Sequence, residues 1–430
     1  MYLLYNLILI LASIFALPFY LFKFIAVGKY RSSVLQKFGF LPIKLTEYLA
    51  GESPIWFHAV SVGEVLSLVS IIRMIRDKYP YRKIILSTVT ETGNYTAQSR
   101  ITGIDSLIYF PLDYPWIVKR VINKINPRLF VIVDTDIWPN FLRELKKKHI
   151  PSIIINGRIS PRSYKRYIWF KWFIKAVFDH LSFFSMQSKV DSERIIDGGA
   201  DAARVVTTGN LKFDQIVPNI TEAEKKRLLD SIKIKPGQRV FIAGSTHKGE
   251  EDIILDAFET LKKEYRDLTL IIAPRNPERF REVENLVLHR SFNYLRKTKG
   301  KASNNLADTE VVILDTIGEL CEIYSVGFLI FIGGSFVKIG GHNLLESAAY
   351  KKAVMFGPYM HNFLEISEVL KDSGGGIQVN NKEELIFHAR RLLDNPSLSQ
   401  QLGDAAYSVI EKNQGATLRN IEIIERFLSP

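Results

Sequence analysis

At 430 residues with 47% hydrophobic side chains, the chain exceeds what one hydrophobic core supports and is read as two domains plus an accessory element. A single cysteine, Cys321, rules out an internal disulfide framework, and no Cys/His cluster points to a structural metal, so none is expected. The net charge of +12 is uneven, with all the excess positive charge in residues 1–209. That half suits anionic membrane lipids or an anionic substrate in the membrane plane, and without a recognisable nucleic-acid module, nucleic acid is not an expected partner.

From Tyr2 to Phe22 there is no charge, a length sufficient for a hydrocarbon core that needs about 20 apolar residues. The basic start of a cleavable signal peptide is missing, which favours a retained membrane anchor. Lys23, Lys29, Arg31, Lys37 and Lys44 follow, and such a basic flank places the globular part in the cytoplasm. Pro18 leaves a second form open, an interfacial helix that dips into one leaflet. Next, short apolar runs at Ile55 to Val60, Lys83 to Thr88, Leu129 to Val133 and Ser152 to Ile155 alternate with helical stretches at Val65 to Tyr79, Pro115 to Ile125 and Asn140 to His149. Such alternation predicts βαβ units and a parallel sheet. Tyr164 to Lys175 interleaves aromatic and basic residues without one clean helical face; it reads as a membrane–water interface segment or as a partly buried domain helix. Asn210 to Arg239, with Pro218 and Pro236-Gly237, reads as a linker. The pattern then repeats, with strands predicted at Val240 to Ala243, Leu268 to Ala273, Val311 to Leu314, Phe328 to Ile332 and Ala353 to Phe356. The last helical stretch, Leu402 to Leu428, is a candidate to pack back on the first domain.

Candidate chemistry gathers where these strands end. Ser61-Val62-Gly63-Glu64 matches a capping box, yet the same carboxylate stands at the open end of a strand, where it could deprotonate a hydroxyl. Asp134 and Asp136 place two carboxylates after another strand, to raise one pKa, hold a metal or face solvent. Lys212 is either a solvated lysine or a cation near the interdomain hinge. Gly244-Ser245-Thr246-His247, Thr316-Ile317-Gly318-Glu319 and Gly333-Gly334-Ser335 are strand-end glycine turns, and Gly340-Gly341-His342-Asn343 opens a helix. Their uncovered amides could cradle a diphosphate, a monophosphate or a sugar carboxylate. Arg275 supplies a guanidinium suited to phosphate, and Glu346 either caps its helix or accepts from ribose hydroxyls.

The ordered segments His58 to Glu64, Asp134 to Asn140, Asn156-Gly157-Arg158-Ile159-Ser160, Asn210 to Asp214, Gly244 to Glu251, Pro274-Arg275, Gly333 to Glu346 and Phe356-Gly357-Pro358 resemble the Kdo transferase family, which attaches 3-deoxy-D-manno-octulosonic acid (Kdo) to the lipid A precursor. The resemblance implies an α/β, GT-B type fold: two Rossmann-like domains facing across a cleft, with an N-terminal membrane-anchor helix. The implied domains are an anchor at 1–27, an acceptor domain at 28–210, a CMP-sugar donor domain at 211–405 and a C-terminal helix at 406–430 packing on the first domain. By the same resemblance Glu64 is the general base, Asp134 and Lys212 stabilise the transition state, and CMP is held by Pro274, Arg275, Ile317, Gly318, Glu319, Asn343, Leu344, Leu345 and Glu346. CMP-Kdo is the implied donor substrate, with no separate cofactor or metal, and the enzyme would work at the cytoplasmic face of a bacterial inner membrane. One departure stands out: Asp134-Thr135-Asp136 replaces the family's usual Glu-Thr-Glu, shortening each carboxylate by one methylene. The alternatives are another GT-B enzyme, a UDP-sugar transferase or epimerase, and a non-catalytic membrane-surface protein.

Overall fold

The computed structural model describes residues 1–26, 33–49, 51–214, 220–299, 301–302 and 309–428. Lys29 and Arg31 of the basic flank, and Pro218 of the expected linker, lie outside the described residues. The chain divides into two compact units, Met1–Gln215 joined by Gln414–Pro430, and Ile216–Asn413. These divisions differ from those read off the sequence. Lys212 belongs to the first unit because Leu211 beside it is buried in that unit's core. Residues 406–413 stay with the second unit because they continue its helix Pro396–Asn413.

The first unit is built on seven parallel strands: β1 (Ile55–His58), β2 (Ile84–Thr88), β3 (Ser106–Tyr109), β4 (Leu129–Val133), β5 (Ser152–Gly157), β6 (Phe183–Met186) and β7 (Val205–Thr207). Their order is β3-β2-β1-β4-β5-β6-β7. Strands β1, β4 and β5 sit centrally with both faces covered, so each carries a continuous apolar stretch, Ile55 to Phe57, Leu129 to Val133 and Ile153 to Ile155. The strands of this unit that patterning did not predict, β3, β6 and β7, have three or four residues each, too few to show a period, and the same holds for the strands Tyr294–Arg296, Lys301–Ala302 and Gly376–Gln378 of the second unit.

Alternation along the strands makes two cores. Trp56, Phe130 and Ile154 pack on one face with Val121, Phe141 and Phe178. Phe57, Val131 and Ile153 pack on the other with Leu68, Ile72 and Ile424. Ile424 lies on the helix Ala416–Leu428, so the end of the chain completes the first unit's core. Its entry is fixed by Asp214, whose carboxylate accepts from the backbone N–H of Gly415 at 2.7 Å and from that of Thr417. Buried Asn420 then accepts from the Ser185 hydroxyl at 2.6 Å.

The N-terminal helix Tyr2–Ala26 is tied to the same unit by polar side chains. The Tyr5 hydroxyl donates to Asp113 at 2.9 Å, Asn140 donates its amide to Asn6 at 2.7 Å, and Tyr2 meets His180 at 2.7 Å. Asp113 is buried and also accepts from the backbone of Asn140 and Phe141, so one carboxylate holds two helices. The apolar side chains Leu3, Leu4, Leu7, Ile8, Leu11, Ile14 and Phe15 are left in solvent, Phe15 at 83% exposure. Among the described residues no helix is long and apolar enough to cross a membrane, so the spanning form of the anchor gains no support. Tyr164 to Lys175 lacks a clean periodicity for a physical reason: the helix breaks at Phe170 and restarts, giving Pro161–Trp169 and Lys171–Phe178. Ile168, Trp169, Phe170 and Trp172 are exposed there.

The second unit carries β8 (Arg239–Thr246), β9 (Leu268–Pro274), β10 (Tyr294–Arg296), β11 (Lys301–Ala302), β12 (Val311–Ile313), β13 (Leu329–Ile332), β14 (Val354–Phe356) and β15 (Gly376–Gln378). The order is β11-β10-β12-β9-β8-β13-β14-β15, and among the described residues only β11 runs antiparallel to its neighbour. The core of this sheet is Phe241, Leu270, Ile313 and Phe331 packed on Phe258, Val283 and Leu392.

Removing the Asp214 carboxylate leaves two backbone donors at the start of the last helix without their partner. Asp214→Ala should therefore cost about 1–2 kcal/mol, read as a lower urea midpoint, and should hasten proteolysis near residue 414.

Candidate functional site

In the first unit the strand ends bring together Glu64 after β1, Asp134 and Asp136 after β4, Arg158 after β5 and Lys212 after β7. Glu64 accepts from the Val60 backbone N–H and from the Ser61 hydroxyl, both at 2.6 Å. The capping box is thus not completed: Ser61 makes no side-chain cap and its hydroxyl instead donates to the glutamate. Burial raises the Glu64 pKa to about 7, against the Ser61 hydrogen bond that lowers it, and the Asp136 charge adds to the rise. Asp134 is also raised to about 7, by burial and then by Glu64, with Arg158 and Lys212 opposing. Asp136 rises to about 6 for the same two kinds of reason, burial and the Asp134 charge. Three carboxylates sharing one corner thus hold protons near neutrality, and a group with such a pKa is suited to exchange one.

Asp134 has φ +66°. Aspartate adopts this left-handed conformation more readily than longer side chains do, which gives the shortened Asp134-Thr135-Asp136 motif a local fit. The following loop is clamped from two sides. The Arg158 N–H donates to the Thr135 hydroxyl at 3.0 Å, and that hydroxyl donates to the Arg158 carbonyl. The Trp138 indole donates to His58 Nε2 at 3.2 Å. His58, fully buried, therefore carries its proton on Nδ1, toward the Ser87 hydroxyl at 2.9 Å, and burial depresses its pKa to about 3. Its role is to hold Trp138 rather than to exchange protons.

The backbone of Lys212 is placed by an amide chain that single-residue reading did not find. Asn156 accepts from the Leu211 N–H at 2.9 Å, Gln187 donates to the Asn156 carbonyl at 2.8 Å, and Asn210 donates to Gln187 and accepts from the Lys212 N–H. The available signal was an amide beside a small residue at the end of an apolar stretch, in Asn156-Gly157, Gln187-Ser188 and Gly209-Asn210. Arg158 was also overlooked as a site residue; its position one residue past a buried strand is what marks it.

The second unit gathers a separate cluster of His247 after β8, Arg275 after β9 and His342 to Glu346 beyond β13, while the turn at Gly318-Glu319 follows β12, the neighbour of β9 in the sheet. Arg275 is exposed and its N–H donates to the Thr246 carbonyl. Glu319 pairs with Lys297 at 2.8 Å; burial pushes its pKa up, but hydrogen bonds from Lys297 and Thr316 outweigh this and hold it below the usual value. Glu346 is pushed up by burial, against the Asn343 amide at 3.3 Å and the Arg275 charge. Pro274, Leu344 and Leu345 have buried side chains, so a ligand meets them only through backbone; Ile317, by contrast, is exposed.

One expectation is corrected. The amides of the Gly333-Gly334-Ser335 turn are not uncovered, because the fully buried Glu250 carboxylate accepts from Gly334 at 2.7 Å, Ser335 at 2.9 Å, Phe336 at 2.8 Å and His247 at 2.9 Å. Gly340 and Gly341 both donate to the Gly334 carbonyl. The cradle's own anion is part of the fold, and a substrate phosphate must find other donors.

Residues 32–215 match a family model described as 3-Deoxy-D-manno-octulosonic-acid transferase (kdotransferase). Over 403 residues the chain is 32% identical to a 3-deoxy-D-manno-octulosonic acid transferase of Haemophilus influenzae, covering 93% of this chain and 92% of that protein. A transferase of the same name from Chlamydia pneumoniae is 30% identical over 92% of this chain and 89% of its own. Among solved structures, a glycosyltransferase from Rickettsia africae superposes with a TM-score of 0.59 at 14% identity, over 88% of this chain and 99% of that one. The S. aureus MnaA–UDP structure gives 0.57 at 16%, over 87% and 97%. These structural neighbours share the two-domain, GT-B-like fold.

The raised carboxylates also set a pH dependence of stability. Glu64, Asp134 and Asp136 bind protons more tightly folded than unfolded, so between about pH 4 and 7 their contribution falls as pH rises. Glu64→Gln and Asp134→Asn should each flatten that fall. At pH 8 each should raise unfolding stability by on the order of 1 kcal/mol, measured by denaturant titration across pH.

Proposed function

Because the chain belongs to the 3-deoxy-D-manno-octulosonic-acid transferase family, glycosyltransferases of lipopolysaccharide core biosynthesis, we propose that it moves Kdo from CMP-Kdo to the lipid A precursor (lipid IVA) with inversion. The observation that carries this reading is the cluster of Glu64, Asp134, Arg158 and Lys212 at one set of strand ends, with Glu64 poised near neutral pH. In the proposed reaction an acceptor hydroxyl oxygen bonds to the anomeric carbon of Kdo as the bond from that carbon to the phosphate oxygen breaks. CMP leaves with the electron pair, and Glu64 takes the hydroxyl proton. Lys212 and Arg158 supply fixed positive charge beside that position, and Asp134, when ionised, faces the positive charge that develops on the sugar ring.

On the donor side we assign CMP to the second unit. Arg275 answers the phosphate, Glu346 and Asn343 the polar edge of the nucleoside, and the backbone at Pro274, Ile317, Gly318, Glu319, Leu344 and Leu345 the rest. For the acceptor side we propose a helix lying in the membrane surface. The N-terminal helix keeps its polar face on the protein and turns Leu3, Leu7, Leu11 and Phe15 outward, and exposed Trp169 and Trp172 lie among Lys165, Arg166, Lys171 and Lys175. Apolar and cationic groups together favour the headgroup boundary of an anionic leaflet, the cytoplasmic face of an inner membrane in this reading.

Mass spectrometry of tetra-acylated lipid A precursor after incubation with the protein and fresh CMP-Kdo should show increments of one or more Kdo. No increment, with donor and lipid intact and binding of UDP rather than CMP, would favour a UDP-sugar enzyme. Glu64→Gln should lower kcat by about 10²–10⁴-fold with CMP binding retained. In the wild type kcat should rise with pH through about 7, and Asp136→Asn should move that limb to lower pH by removing a neighbouring negative charge. Leu7→Glu with Phe15→Glu should abolish co-sedimentation with anionic phospholipid vesicles while leaving CMP binding unchanged.

A further inference from the structure

Two histidines in the second unit are left unexplained by the roles above. His247 follows β8 and His342 follows the glycine turn beyond β13, yet their Nε2 atoms lie 2.8 Å apart and their rings are parallel within 4°. A bond between two ring nitrogens holds one proton, so one Nε2 donates and the other accepts. Room for the pair comes from Gly334, where a side-chain carbon would stand 3.0 Å from the His342 ring. The surroundings are lopsided in charge. Burial is the first cause that disfavours a second proton on either ring; the charges of Arg279 and Arg275 add to it at His247, and that of Arg275 at His342. Glu250 is committed to four backbone N–H groups, and Glu346 faces Arg275 and Asn343. Arg279 is ion-paired with Glu251 and Glu282, whereas Arg275 has no ion pair among the described residues.

We propose that His247 and His342, with Arg275, form an oxyanion subsite that takes up one proton when its anion binds. An arriving oxyanion offsets Arg275. One proton from solvent then joins the one the pair already shares, the N–H···N bond opens, and both Nε2–H groups donate to the anion. The anion is the phosphate of the nucleotide or the carboxylate of the transferred sugar, so this assignment rests on the donor reading given above.

Calorimetry of the full-length protein with CMP at pH 7.5, in two buffers of different ionisation enthalpy, counts protons taken up per nucleotide bound; cytidine, which has no phosphate, serves as control. The expected result is proton uptake by wild type, and in both His342→Gln and His247→Asn a loss of that uptake with CMP affinity lower by about tenfold, cytidine binding unaltered and thermal unfolding retained. Unchanged CMP binding with a KM for CMP-Kdo raised about tenfold would support the subsite and assign it to the sugar carboxylate. Folded variants that match wild type in CMP affinity, proton uptake and KM would overturn it. If wild type binds UDP in place of CMP, the donor reading fails, and the same two variants titrated with UDP still decide the pair.

Discussion

A parallel sheet with helices on both faces has no free face on which to do chemistry; only the loops at its strand ends are open. In each unit of this chain the charged and polar groups accordingly collect after the strands: Glu64, Asp134, Asp136, Arg158 and Lys212 in the first, His247, Arg275, Glu319 and Glu346 in the second. The covered faces explain the second half of the arrangement. A carboxylate at such an edge is partly withdrawn from water while lying close to its neighbours, and both effects raise its pKa.

Backbone donors are treated with the same stringency. Glu250 spends its whole carboxylate on four N–H groups of the second unit, and Asp113 does the like for the start of helix Pro139–Lys147 while receiving the Tyr5 hydroxyl. A buried carboxylate survives because each oxygen meets fixed donors that cannot reorganise away. In both units a buried carboxylate is thus part of the scaffold that fixes the loops carrying the ligand-facing residues. His58 belongs to the same class, since its neutral ring closes a chain from Trp56 and Ser87 to Trp138.

Several features were open to reading in advance. Strands β4, β8, β9 and β13 are apolar runs flanked by turn residues, and the order of strand-end motifs was specific enough to give the family. Glu64 could be seen as base or cap; the structure shows it accepting from Val60 and Ser61 with Ser61 making no cap, a distinction of side-chain orientation that no spacing contains. The glycines at 333 and 334 were visible as a turn, but whether their amides faced water depended on Glu250, more than eighty residues away. The Asn156–Gln187–Asn210 chain was similarly hidden, because its members come from three separate strand ends.

By itself the sequence determined the parallel α/β class, the two-unit plan, the family, and which strand ends carry ionisable groups, because these follow from periodicity and from short-range motifs. Tertiary structure alone decided that residues 416–428 complete the first core, that Lys212 lies with Glu64 and Asp134, that the N-terminal helix turns its apolar side outward, and that His247 meets His342. Each of these depends on contacts between segments distant in the chain, where burial and hydrogen-bond geometry, rather than local propensity, select the partner.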